Sequence, residues 1–168
     1  AFAVSETETP SAKLSLDNIR TTAMVDDDGK SFDVIGVDVN ISENTDFMFA
    51  GRFLVISEQN LTPLSYDEGT FASNEAAMLY TVTKNGSAVS ELNKTGFQVL
   101  FDSGSDTFGI NSQNGFLGSY YFIAPNECGE YSFKLIWLDG FNDGYDETGN
   151  VYRKILPFSP PQSSLYLR

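Results

Sequence analysis

Residues 33–41 read Asp-Val-Ile-Gly-Val-Asp-Val-Asn-Ile. Ile35, Val37, Val39 and Ile41 fall on every second position, with Asp38 and Asn40 between them. Side chains alternate between the two faces of a strand, so this spacing sends one row to a core and the other to its outside. The same period recurs outward from here in both directions. From Phe47 to Val55, the residues Phe47, Phe49, Phe53 and Val55 share a face and Arg52 takes the other. Met78-Tyr80-Val82, Phe97-Val99-Phe101 and Tyr131-Phe133-Leu135-Trp137 repeat the pattern, interleaved with Thr81, Gln98, Ser132 and Lys134. β-Branched and aromatic residues dominate these runs, as strands prefer.

Turn-forming residues separate the runs: Asp26-Asp27-Asp28-Gly29, Asn85-Gly86, Asp102-Ser103-Gly104, Asn114-Gly115 and Asp139-Gly140. Asn85-Gly86, between two apolar runs, predicts a hairpin turn. No stretch holds a 3.6-residue period over three turns; the best helix candidate is the short segment from Ser73 to Leu79. About 8–10 short strands in one chain of this length predict an all-β fold, a single antiparallel β-sandwich of jelly-roll or Ig-like type. The expected organisation is an extended N-terminal arm at 1–12, the sandwich at 13–156 and a Pro-rich C-terminal tail at 157–168.

The chain has 168 residues, 41% of them hydrophobic and 14% aromatic. A domain of this size buries roughly 70% of the surface its unfolded chain exposes, which is core enough without disulfides. The single cysteine, Cys128, excludes an internal disulfide; it reads as a small buried residue beside a turn, the alternative being a bond to another chain. A formal charge of −13 repels nucleic acid and anionic lipid, so neither is an expected partner. No apolar run reaches the length of a membrane-spanning helix. A start at Ala1 is what removal of a signal peptide often leaves, the alternative being a boundary without biological meaning. The expected place is secreted, extracellular or cell-surface.

The chain has no histidine. That removes Ser–His and Cys–His nucleophiles and His-ligated metals together. One cysteine excludes multi-cysteine zinc or iron–sulfur sites, and no Gly-rich phosphate loop is present. Carboxylate pairs remain, but with 23 acidic residues some pair meets any spacing by chance. The expectation is therefore a protein that is not an enzyme.

Residues 138–150 concentrate acids, amides and glycines. Calcium takes six to eight oxygens from such groups, and Asp139, Asn142, Asp143, Asp146 and Glu147 are the candidate ligands. Phe141 occupies the place of an oxygen ligand in an EF-hand, so the alternatives are an irregular calcium loop or a solvated turn. Phe141 and Tyr145, in the same segment, are the candidates for stacking against a glycan. Four Asn-x-Ser/Thr sequons, at Asn40, Asn60, Asn85 and Asn93, are candidate glycosylation sites. Polar termini fray unless something holds them. This favours self-association or a neighbouring subunit, with Phe2 and Val4, or Leu165 and Leu167, as anchors that add a strand to a sheet.

The stretch from Phe32 to Ser57, FDVIGVDVNISENTDFMFAGRFLVIS, is followed by GFQVLFDSGSDTFGINSQNG at 96–115. Together they resemble the β-sandwich domains appended to secreted subtilisin-like proteases of bacteria and archaea. Gly51-Arg52-Phe53 and Phe101-Asp102-Ser103 depart from the corresponding steps, and residues 128–168 have no counterpart. The resemblance implies an extracellular accessory sandwich and nothing about catalysis. The leading expectation is a non-catalytic structural or adhesive subunit of a surface assembly such as a filament. The alternatives are a carbohydrate-binding or calcium-stabilised module of a secreted enzyme, and a virus capsid or decoration protein.

Overall fold

A computed structural model describes residues 13–42, 48–69, 79–102, 115–145, 151–155 and 162–167, with side chains over 14–42, 51–69, 79–102 and 115–136. Ten strands and one short helix are described: β1 Lys13–Val25, β2 Ser31–Ser42, β3 Met48–Ser57, β4 Pro63–Glu68, β5 Leu79–Lys84, α1 Ser87–Ser90, β6 Thr95–Asp102, β7 Gly115–Ile123, β8 Gly129–Tyr145, β9 Val151–Ile155 and β10 Gln162–Leu167. They form two sheets. One has the order β1-β2-β7-β4; the other has the order β10-β8-β3-β6-β5, with β9 also on β8. Every described pairing is antiparallel. The expected all-β sandwich is therefore the fold, and β2–β7 and β3–β8 join strands far apart in sequence.

The alternating rows meet between the sheets. Ile35, Val37, Val39 and Ile41 from β2 and Leu117, Tyr120 and Phe122 from β7 face Phe53 and Val55 from β3, Phe97, Val99 and Phe101 from β6, and Tyr131, Phe133 and Leu135 from β8. Aromatic rings run through the centre. Phe97 lies 5.3 Å from Tyr120 and 5.1 Å from Phe122, and Phe122 lies 5.2 Å from Phe133. These spacings and tilts are those that ring quadrupoles favour. At the β4–β5 side, Tyr66 packs on Tyr80 at 6.2 Å, and the Tyr80 and Tyr120 hydroxyls bond to each other. Burial, then the negative charges of Glu68 and the Tyr66 side, push the Tyr80 phenol well above its ordinary pKa. It stays neutral and serves as a hydrogen-bonding group.

Two details differ from the sequence reading. Asn85-Gly86 is not a two-residue hairpin turn: α1 and its following turn sit between β5 and β6. Val89 of α1 is buried with Leu54 and Ile56, and a turn that docks an apolar side chain needs more residues than a tight hairpin has. Cys128 is exposed because the β7–β8 connection runs over the surface. The helix expected at Ser73 to Leu79 lies outside the described residues apart from Leu79, which is in β5. No helix among the described residues is long and apolar enough to cross a membrane.

Candidate protein-binding face

A two-layer sandwich has two outer faces, and here they differ in chemistry. On the four-stranded sheet, polar side chains bond to one another. Asp38 accepts hydrogen bonds from Ser119 Oγ at 2.6 Å, Arg20 Nη1 at 2.9 Å and Asn18 Nδ2 at 3.1 Å. Arg20 Nη2 reaches the Tyr121 hydroxyl, which in turn donates to Asp67. The guanidinium stands 5.7 Å from the Tyr121 ring centre. Asp17 accepts from Ser15 and Asn40. The chain reaches this arrangement through a break in register between Asp17 and Arg20, where Asn18 takes a left-handed φ of 53°. Gly36 leaves room for it: a Cβ there would lie 2.9 Å from the Tyr121 ring.

Burial opposes the charge on Asp38, but the hydrogen bonds from Ser119, Asn18 and Arg20, with the charge of Arg20, outweigh it and hold the carboxyl below its ordinary pKa. Burial likewise opposes the Arg20 charge, and Asp38 and Tyr121 outweigh it, raising its pKa. This face spends its polar groups on itself.

The outer face of the six-stranded sheet carries apolar side chains among its polar ones. Core residues take alternate positions on β3, β5 and β6, so Arg52, Leu54, Ile56, Leu79, Thr81, Thr83, Gln98, Leu100 and Asp102 point away from the core. α1 covers one end. Val89, Leu54 and Ile56 are buried there, with Ala88 and Ile136 packed against them, and Ala88 N donates to Gln98 Oε1. Beyond the helix, Thr81, Leu100 and Arg52 lie in one cross-strand row, and Leu79 pairs with Asp102 in the next. Leu79 is 59% exposed, Arg52 and Thr81 are exposed, and Leu100 is half-buried. Apolar side chains beside an arginine on a sheet face have the make-up of an interface core. Arg20 and Asp38 lie on the opposite face and Tyr80 turns into the core, so these displaced pKa values mark structural groups, not proton-transfer groups of this face.

Asp139 lies beside Arg52 in register; the other sequence-derived candidates fall away from this row. Asp139, Asn142 and Asp143 lie within β8, paired by backbone with Arg52, Met48 and Arg153 respectively. Asp146 and Glu147 lie outside the described residues. Among the described residues, no group of three or more His, Cys, Asp or Glu is placed to hold a metal ion. Phe141 and Tyr145 are also in β8, opposite Ile155 and Val151 of β9. Leu165 and Leu167 are in β10, paired with Tyr131 and Gly129, whereas Phe2 and Val4 lie outside the described residues. Asn60, Asn85 and Asn93 are exposed in turns, and Asn40 is half-buried in β2. The sequence reading did not single out Leu79, Thr81, Leu100 or Arg52 as a set. Only the pairing of β5, β6 and β3 brings them together.

No protein-family model matches the chain, and no curated protein matches its sequence. Its fold is that of solved cohesin modules. The non-cellulosomal cohesin of Archaeoglobus fulgidus superposes with a TM-score of 0.55 at 14% identity, covering 93% of this chain and 90% of that one. The sixth cohesin of Acetivibrio cellulolyticus scaffoldin B, solved in complex with a mutant Cel5 dockerin, gives 0.57 at 15% identity, covering 90% and 96%. The cohesin module of a family 33 glycoside hydrolase of Clostridium perfringens gives 0.52 at 9% identity, covering 94% and 97%. These are cohesins rather than protease-appended domains; what they share with the resemblance drawn from the sequence is the β-sandwich.

Proposed function

We propose that this chain is a non-catalytic module of an extracellular or cell-surface assembly, and that it takes a partner protein on the outer face of the six-stranded sheet. The apolar make-up of that face carries this reading: Leu79 is exposed on it, and Leu100 lies in one row with Thr81 and Arg52. The likeness to cohesins supports it, since one of them was solved with a dockerin bound. A dockerin-like protein module is the partner class to test.

The test is calorimetric titration against a panel of purified dockerins, with Thr81→Arg and Leu100→Glu variants shown by melting to be folded. At least one dockerin should bind, and each variant should weaken it by about tenfold or more, near 1.4 kcal/mol. Unchanged affinity in both variants would place the partner elsewhere; no binding across the panel would sink the dockerin reading.

A second reading is self-assembly by strand addition. It is favoured by the position of β10, which carries Leu165 and Leu167 at one end of the six-stranded order. Edge strands offer backbone groups to another chain. Sedimentation of native material at high concentration tests it: polymers lost on deletion of residues 1–12 support a terminal-arm joint, and a monomer at every concentration excludes one.

A further inference from the structure

The four sequons are scattered in sequence, but the fold sorts them. β3 ends at Ser57, β5 ends at Lys84 and β6 begins at Thr95, so Asn60, Asn85 and Asn93 lie beside strand ends that are adjacent in one sheet. The turns are tied together. Asn85 N donates to Gly96 O, and Gly96 N donates to Asn85 Oδ1. Lys94 Nζ donates to Glu58 O, and Thr95 Oγ1 donates to Leu61 O. All three asparagines are exposed, with left-handed φ values of 57°, 51° and 55°. Asparagine tolerates that conformation in tight turns. Asn40 is different. It lies within β2, half-buried, and its Nδ2 donates to Asp17 Oδ2 at 2.8 Å.

We propose that this pole is an N-glycosylated cap, carrying sugar on Asn60, Asn85 and Asn93 and none on Asn40. The proposal rests on the extracellular placement above and not on the identity of any partner. The donor class is a lipid-linked oligosaccharyl phosphate or pyrophosphate, used by a membrane glycosyltransferase. The asparagine Nδ2 forms a bond to the anomeric carbon as the bond from that carbon to the lipid phosphate oxygen breaks. The lipid phosphate leaves with the electron pair, and the amide proton passes to a base of the transferase. At the pole an added glycan meets solvent. At Asn40 it would lie across the bonded face that holds Asp17. Glycans at Asn85 and Asn93 would flank α1 and confine a protein partner to the Leu79–Leu100–Arg52 end of its face.

The experiment is glycopeptide mass spectrometry of the protein secreted by its native host. Sugar on all three pole asparagines, with a bare Asn40 peptide, is the expected result. Any of the three found bare throughout, or sugar on Asn40, overturns the proposal. Thr62→Ala and Ser87→Ala remove two sequons without touching the asparagines, and each should lower the intact mass by one glycan; an unchanged mass in both counts against it. Dockerin titration of the same material is a separate readout, so failure of the partner reading and failure of this one are distinguishable.

Discussion

Replacing Asp38 by Asn keeps the side chain's size and removes its charge, so it isolates what that charge does. The carboxylate is 17% exposed and its partner Arg20 30% exposed. It accepts from three donors, on Ser119, Arg20 and Asn18. An amide in its place keeps one acceptor oxygen, so at least one donor now faces an NH2 group. One lost hydrogen bond costs about 1 kcal/mol, and loss of charge assistance at a partly exposed arginine costs about another. The expected loss is about 2 kcal/mol, or roughly 4–8 °C in melting temperature for a domain of this size.

The pH dependence has a definite sign. The folded-state pKa of Asp38 is lowered from an ordinary 3.8, so its stabilisation is complete above that ordinary value and disappears as pH falls through the folded value. Urea unfolding of both proteins at pH 7, and again below the carboxylate range, measures the difference. It should be full at pH 7 and collapse in acid. A difference that persists in acid, or one below about 0.5 kcal/mol at pH 7, within the scatter of ordinary surface substitutions, would refute an ionic role for Asp38.

Two further outcomes are expected. Val89→Ala removes two methyl groups from the buried contact with Leu54 and Ile56; it should cost about 1–2 kcal/mol and speed amide exchange at Ser90 and Glu91, and unchanged exchange would show that α1 is not held by this contact. Calcium held by Asp139, Asn142, Asp143, Asp146 and Glu147 should raise the melting temperature, since ligand at a hundredfold excess over its Kd stabilises by about 2.7 kcal/mol; identical melts in millimolar calcium and in chelator would end that assignment.

Much of the fold was legible because alternation is local. Ile35, Val37, Val39 and Ile41 face the core as their spacing predicts, as do Phe97, Val99 and Phe101. The rule failed where a second layer covers the outside. Leu54 and Ile56 are buried on the outward side of β3 because α1 lies on them, and four residues around one valine carry no detectable helical period.

The candidate face was less legible than the core. A strand's own residues determine which of its faces is apolar, because side chains must alternate along an extended backbone. They do not determine its neighbours, because every strand offers the same backbone donors and acceptors. For this chain, sequence alone therefore settled the all-β class, the core rows at 35–41, 97–101 and 131–135 and the absence of histidine chemistry. Only the tertiary structure decided that Thr81, Leu100 and Arg52 form one row. Only the structure set Arg20 beside Tyr121, 101 positions away in the chain, and gathered three of the four sequons at one pole. These juxtapositions come from strand pairing between distant segments, and that pairing is a property of the folded sheets as a whole.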